Sequence, residues 1–115
     1  MREQDYYPKL VAMAHQFGWL VEHHRTVKTS SGRHMTAIMG DKGWVDFVFS
    51  HPTHKITLFR EIKGKKTKVE PDQKKWLASL AATGLDVDIW RMPDDWPLAV
   101  AQLSFGRVSA EQSLL

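Results

Sequence analysis

Residues 43–76 read GWVDFVFSHPTHKITLFREIKGKKTKVEPDQKKW, and they carry the clearest structural pattern in the chain. Its two apolar runs, 44–49 and 55–63, predict neighbouring strands joined as a hairpin, the first of them buried on both faces. Pro71 then opens a segment whose apolar residues recur at helical spacing until Gly84, the usual arrangement of proline at the start of a helix and glycine after its end. Two strands followed by a helix are therefore expected.

Four polar residues stand in this stretch at positions where core residues are expected: Asp46, Glu61, Lys63 and Gln73. Alternation along a strand places Glu61 and Lys63 on one face, beside the strand that carries Asp46. A cross-strand ion pair explains a Glu–Lys pair, but it explains less well why two carboxylates share a surface. Because an unpaired buried charge is costly, Asp46 must be hydrogen-bonded, paired or metal-bound. Gln73 either caps a local backbone group or reaches the same site.

Two carboxylates on adjacent strands are suited to Mg²⁺, which keeps several positions open for water and phosphate. A magnesium ion bound there activates water and polarises a phosphoryl oxygen. Lys63 can orient the water and offset charge on the phosphorus, and the backbone carbonyl of Ile62 is a natural additional ligand. The pattern favours a site for cleaving phosphodiester bonds.

The rest of the chain supplies further elements of an α/β fold. Its predicted elements are a helix at 3–17, a strand at 19–23, a strand at 85–91 and a short helix at 97–104. Glu3 lies on the apolar stripe of the first helix; spacing alone favours a role at the positive end of the helix dipole over one in the active site. The order of elements is α-β-β-β-α-β plus a short C-terminal helix.

The composition predicts one soluble domain over residues 1–115, with 43% hydrophobic and 25% charged residues. The chain has no cysteine, which excludes disulfides and thiolate metal sites. The N-terminal residues lack the apolar core of a signal peptide, and no apolar run is long enough for a membrane span, so a cytoplasmic protein is expected.

Positive charge is concentrated next to the polar residues. The net charge is +3, and residues 60–75 hold seven cations against three acids, a net of +4. Such a cluster suits a polyanion, although an isolated run of lysines is more often a solvated loop. Residues 26–43 predict a long loop, and the two histidines of HPTH, 51–54, are assigned to an exposed turn without a metal site.

The stretches EQDYYPKLVAMAHQFGWLVEHHR and GWVDFVF…FREIKGKKTKVEPDQKKWLASLAATGLDVDIWRMPDDW resemble the VRR-NUC domain of the PD-(D/E)XK nuclease superfamily. The likeness is to its stand-alone phage and bacterial versions and covers residues 3–96, leaving 97–115 as a C-terminal extension. It implies a restriction-endonuclease-like core, a central mixed sheet flanked by helices, and cleavage of DNA with Mg²⁺, or Mn²⁺ in its place. It also implies a homodimer that acts on four-way (Holliday) junctions.

The resemblance also implies roles for individual residues. Asp46 and Glu61 would be metal ligands, Lys63 the catalytic lysine and Gln73 a supporting polar residue. Glu3 would reach the metal directly or through water. The proline usual before the strand aspartate is Val45 here. Phosphate contacts would come from the cations Arg25, Arg33, Lys65, Lys66, Lys68, Lys74 and Lys75. The alternatives are a non-catalytic nucleic-acid-binding module of the same fold and a nuclease acting on flaps, restriction sites or RNA.

Overall fold

The computed structural model describes residues 2–24, 27–28, 34–35 and 39–104. A 3-10 turn at Glu3–Tyr6 runs into the first α-helix. The helices are α1 (Tyr7–Gln16), α2 (Pro71–Ala82) and α3 (Trp96–Leu103); the strands are β1 (Leu20–His23), β2 (Val27–Lys28), β3 (His34–Met35), β4 (Phe47–His51), β5 (Ile56–Gly64) and β6 (Asp86–Met92). The predicted order of elements is confirmed, with one addition: the short β2–β3 pair lies inside the segment expected to be a loop.

The main sheet has four strands in the order β1-β4-β5-β6. The pairs β1–β4 and β4–β5 are antiparallel, whereas β5–β6 is parallel, so the sheet is mixed. Parallel neighbours require a crossover connection, which α2 supplies between β5 and β6. The predicted α/β class is confirmed, and the architecture is consistent with a restriction-endonuclease-like core.

The two faces of the sheet differ in what covers them. On one face Arg60 of β5 contacts Gln102 of α3, and the core there includes Phe47, Phe49 and Trp90, all fully buried. On the other face Glu61 of β5 accepts a hydrogen bond from α2, the helix that contributes no fully buried residue. Helices α1 and α3 therefore cover the main core, and α2 covers the face that carries Glu61.

Strand β4 departs from the prediction in its start and in its burial. It begins at Phe47 instead of residue 44, and its residues alternate between buried and half-buried, so it is buried on one face only. The prediction that β4 is buried on both faces was wrong. The strand is hydrophobic throughout, but Val48 faces the side that α2 covers only in part. As a result Asp46 precedes the strand, where its side chain can bond to the neighbouring β5.

Residues 39–44 approach the start of α2 closely. Gly43 has φ of +104°, and a Cβ atom built on it would lie 2.6 Å from the backbone of Asp72, so the position requires glycine. The next residue, Trp44, packs edge-on against Trp76 of α2 and against Phe59 of β5. These contacts fix the segment that leads to Asp46.

His51 corrects the expectation of two exposed histidines. It is 8% exposed, its Nε2 lies 2.8 Å from the carbonyl oxygen of Phe17, and its Nδ1 accepts the backbone N–H of His54. The turn therefore uses His51 as a structural link to α1. In the part of the chain that the structure describes, no helix has the length and apolar character needed to cross a membrane.

Candidate active site

The site forms where the β4–β5 ladder ends. The last pair of that ladder is Phe47 with Arg60, whereas β5 continues to Gly64. Beyond Arg60, the edge of β5 that faces β4 has no partner strand, so its backbone N–H groups need other acceptors. The N–H of Ile62 donates to Oδ2 of Asp46 at 2.8 Å, and that of Gly64 donates to Oε2 of Glu3 at 2.7 Å. The end of the ladder thus brings both acids to one edge.

The carbonyl of Ile62 lies at this edge as well. In an extended strand the N–H and the C=O of one residue point to the same side. Since the N–H of Ile62 donates to Asp46, the carbonyl oxygen of Ile62 lies on the same side of β5 as Asp46. The geometry is compatible with the predicted role of this carbonyl as a ligand.

Glu61 is 1% exposed and lies on the opposite face of β5 from the core. Its Oε2 accepts a 2.7 Å hydrogen bond from Nε2 of Gln73 and lies 3.6 Å from Nζ of Lys63. Gln73 also accepts the backbone N–H of Glu70 through Oε1 at 2.9 Å. The two interpretations left open for Gln73 are therefore both correct: it caps α2 and reaches the site.

Burial raises the pKa of both Asp46 and Glu61. The carboxyl groups of Asp46 and Glu61 lie close enough for each to affect the pKa of the other. Burial, reinforced by the charge of Asp46, raises the pKa of Glu61 from 4.5 to about 8, although Lys63 opposes the shift. Burial likewise raises the pKa of Asp46, against the opposing effects of the Ile62 N–H, His23 and Lys63. Both raised pKa values mean that the ionised forms of the two acids are disfavoured. A bound cation would stabilise these ionised forms.

Two buried side-chain atoms in the described part of the chain have no hydrogen-bond partner: Oε1 of Glu61 and Nε2 of His23. His23 lies beside the site, since its Nδ1 is 2.8 Å from the carbonyl oxygen of Asp46. Its ring stacks on Phe47 with centroids 4.2 Å apart. Sequence reasoning missed this residue, because a histidine at the end of a strand carries no signal of its own.

Tyr7 is a second residue that the sequence reading missed. Burial raises the pKa of its hydroxyl above the ordinary value of 10, and the charges of Asp46, Glu3 and Glu61 add to the shift. The phenol therefore lies in the field of all three acids. Its position four residues after Glu3, on the same helical face, was the available signal.

The structure describes five of the seven cations predicted to contact phosphates. Lys65, Lys66 and Lys68 are exposed in the turn after β5, and Lys74 and Lys75 are exposed on α2. Arg25 and Arg33 fall outside the described residues. The net charge of residues 60–75 overstates the surface charge, because Arg60 is 1% exposed and pairs with Asp86 at 2.8 Å.

Arg91 of β6 fixes the basic turn, defined as residues 64–68. Its Nη1 donates to the carbonyl oxygens of Gly64 at 3.0 Å and Thr67 at 2.7 Å. The N–H of Thr67 also donates to the Gly64 carbonyl at 3.3 Å. The three lysines of the turn are thereby held on an ordered backbone next to the carboxylates.

The donor set fits a small, hard cation that keeps much of its water. Among the described residues no group of three or more His, Asp or Glu side chains is placed to hold a metal ion. Mg²⁺, however, is commonly held by one or two carboxylates, with water and substrate phosphate completing its shell. The pair Asp46 and Glu61, the unpartnered Oε1 of Glu61 and the Ile62 carbonyl meet that requirement, and Glu3 lies beside them.

Fold and site together define an α/β protein in which a mixed sheet presents a buried carboxylate, a half-buried carboxylate and a buried lysine where the β4–β5 ladder ends. No protein-family model matches the sequence, and searches of the curated proteins and the solved structures find no match either. The resemblance to the VRR-NUC domain therefore stays a prediction from the residues that carry it.

Proposed function

We propose that this chain is a divalent-metal-dependent, structure-selective DNA endonuclease that cuts four-way junctions as a homodimer. One observation carries the nuclease part: the buried carboxyl group of Glu61 and the half-buried carboxyl group of Asp46 both lie at the unpaired end of β5, with the ammonium group of Lys63 3.6 Å from Glu61. The basic turn beside them supports DNA as the substrate. The preference for junctions and the homodimer rest on the sequence resemblance.

The chemistry follows from the atoms in place. Asp46, Glu61 and the Ile62 carbonyl would hold Mg²⁺, which supplies a more acidic water and a polarised phosphoryl oxygen when it is bound. Lys63 is buried beside Glu61, where it can orient the attacking water and offset negative charge on the phosphoryl oxygens. The water oxygen bonds to phosphorus, a P–O ester bond breaks, and the released alcohol takes up a proton.

The supporting residues keep this geometry fixed. Gln73 donates a hydrogen bond to Oε2 of Glu61, whereas Oε1 is buried without a hydrogen-bond partner. The Ile62 N–H holds Oδ2 of Asp46. Lysines 65, 66 and 68 of the basic turn lie where they can contact phosphates, which positions DNA by its backbone and favours recognition of shape over base sequence.

The test is cleavage of a synthetic four-way junction in Mg²⁺ by wild type, Glu61→Gln and Lys63→Met. Both substitutions should lower the single-turnover rate by about 100-fold or more, the usual cost of removing a charged group that stabilises the transition state. Glu22→Gln and Lys9→Met, at exposed positions on β1 and α1, are matched controls and should cut like wild type. Equal cleavage by all five proteins means that the active-site assignment is wrong.

One observation favours a second function, a non-catalytic nucleic-acid-binding module. The described residues provide two neighbouring acids, Asp46 and Glu61, and no cluster of three metal-binding side chains. Calorimetry with Mn²⁺ separates the two functions. Binding heat that Asp46→Asn abolishes supports the nuclease, whereas junction binding without any Mn²⁺ heat supports the binding module. Rates on junction, flap, duplex and single-stranded DNA then identify the substrate.

A further inference from the structure

A cleft, called the α2 cleft below, opens between α2 and the segment of residues 39–44. It is lined by residues 40–42 and, from α2, by Asp72, Lys75, Trp76 and Ser79. Its volume is about 640 Å³, and clefts that hold small organic ligands usually have volumes of roughly 300 to 1,000 Å³. The cleavage chemistry proposed above uses no residue of this cleft.

The α2 cleft adjoins the candidate active site through the first turn of α2. Residues three and four apart lie on one side of a helix, so Asp72, Trp76 and Ser79 share the face that lines the cleft. Gln73 follows Asp72 directly and donates its hydrogen bond to Glu61. A ligand in the cleft therefore contacts the same turn of α2 that holds the buried carboxylate.

The indole ring of Trp76 is held in place at the wall of the cleft. Its Nε1 donates to the carbonyl oxygen of Asp41 at 3.3 Å, and Trp44 packs edge-on against it with ring centroids 5.0 Å apart. Trp76 is nevertheless only half-buried, and part of its surface is open to the cleft. A fixed, accessible indole is the kind of surface on which nucleic-acid bases stack.

The charges of the lining favour an uncharged ligand over a phosphate group. Lys42 and Lys75 supply two positive charges, and Asp41 and Asp72 supply two negative ones, so the lining has no net charge. Lys42 is also engaged, since its Nζ lies 3.7 Å from Oδ2 of Asp72. Carboxylates accept hydrogen bonds from the amino groups of bases, as from N4 of cytosine. The lining therefore suits a planar base that carries an amino group.

We propose that the α2 cleft binds one unpaired DNA base, stacked on the indole of Trp76, while lysines outside the cleft contact the neighbouring phosphates. These lysines are Lys74 and the three of the basic turn, all exposed. Moving a base into a pocket costs least where that base is already unpaired, as in a single-stranded arm or at a branch point. The choice of DNA as the ligand rests on the proposed function, whereas the aromatic stack does not.

The first test compares two short single strands of equal length and charge, one built of deoxycytidines and one of abasic sugars. Fluorescence anisotropy in a chelator and at low salt measures both affinities without cleavage. Wild type should bind the deoxycytidine strand about fivefold or more tightly than the abasic strand, the usual effect of stacking one base on an aromatic side chain. Contacts to phosphates alone would give equal affinities.

The second test assigns the base preference to Trp76. Trp76→Leu should bind both strands with the same affinity, whereas Trp76→Phe keeps an aromatic ring and should retain most of the preference. Trp96→Leu is the matched control, because Trp96 is also half-buried on a helix and packs against Tyr6 with ring centroids 5.8 Å apart. It should bind like wild type. Far-UV circular dichroism of each variant checks that the fold is intact; if Trp76→Leu does not fold, the comparison of the two strands on wild type decides.

Three results overturn the proposal. Equal affinities of wild type for the two strands mean that no base is bound. A base preference that persists in folded Trp76→Leu places the base elsewhere. Failure to bind either strand removes the ligand, and junction cleavage then decides the nuclease function separately. Conversely, a preference that depends on Trp76 in a protein that cuts no DNA keeps the α2 cleft as a base-binding site and removes the nuclease function.

Discussion

Raising the pH from 6 to 8 without divalent cations should destabilise the wild-type protein, and Glu61→Gln should remove most of this effect. The pKa of Glu61 is raised from 4.5 to about 8 in the folded state, chiefly by burial. A raised carboxyl pKa means that the folded chain binds the proton more tightly than the unfolded chain does. The resulting stabilisation is complete below pH 4.5 and is lost as the pH rises through 8.

The magnitude follows from the two pKa values. Between pH 6 and pH 8 the carboxyl is ionised in the unfolded chain and still largely protonated in the folded one. In this range each added pH unit lowers the free energy of unfolding by about 1.4 kcal/mol, as long as the folded state alone holds the proton. Because the group is half ionised at pH 8, the expected loss in the free energy of unfolding is about 2 kcal/mol. Added Mg²⁺ should reverse the loss at pH 8, since a cation bound at the proposed site would stabilise the ionised pair of the folded state.

The assay is urea unfolding in a chelator at pH 6, 7 and 8 for wild type, Glu61→Gln and Glu22→Gln. Histidines titrate in the same range, so the informative quantity is the difference in pH dependence between variants. Glu22→Gln removes an exposed carboxylate and should follow wild type. Equal stability of wild type at pH 6 and pH 8, or an equally steep loss of stability in Glu61→Gln, would show that the proton on Glu61 does not stabilise the fold.

Three further predictions concern the surroundings of the site. Replacing Lys65, Lys66 and Lys68 by Gln should weaken DNA binding and lower the slope of log affinity against log salt by about 2 to 3, which titrations at several salt concentrations measure; an unchanged slope places the DNA elsewhere. Arg91→Met should weaken DNA binding in the same titration, because the basic turn loses two hydrogen bonds to its backbone. This substitution removes none of the exposed lysines of the turn. Wild-type affinity would show that the turn needs no such support. Gly43→Ala should lower the free energy of unfolding by about 1 kcal/mol or more, since φ is +104° and the added Cβ meets the start of α2; a neutral effect in chemical denaturation contradicts the close approach.

The sequence predicted the order of elements because hydrophobic periodicity and the Pro–Gly signals of α2 are local properties. It misplaced the start of β4, because Val45 and Phe47 belong to one apolar run although the ladder with β5 begins only at Phe47. It identified Asp46 and Glu61 as polar residues within apolar segments. Such interruptions are visible without a structure.

The remaining features of the site depend on tertiary contacts. Sequence spacing does not reveal that Glu3 accepts a hydrogen bond from the amide of Gly64, because 61 positions separate the two residues. Tyr7 and His23 look like ordinary residues of a helix and a strand until the two elements meet at Phe47. The charge count treated Arg60 as a surface cation, whereas the structure buries it against Trp90, with its guanidinium 5.2 Å from the ring centroid.

The proposed function depends on a cation site formed by Asp46 and Glu61. The most direct measurement is the anomalous scattering of a crystal soaked with Mn²⁺ near pH 8. We expect one strong peak at about 2.0 to 2.3 Å from oxygens of both carboxylates and from the carbonyl oxygen of Ile62. A soaked crystal with no peak at this edge of the sheet, or with Mn²⁺ bound only at other surfaces, contradicts it.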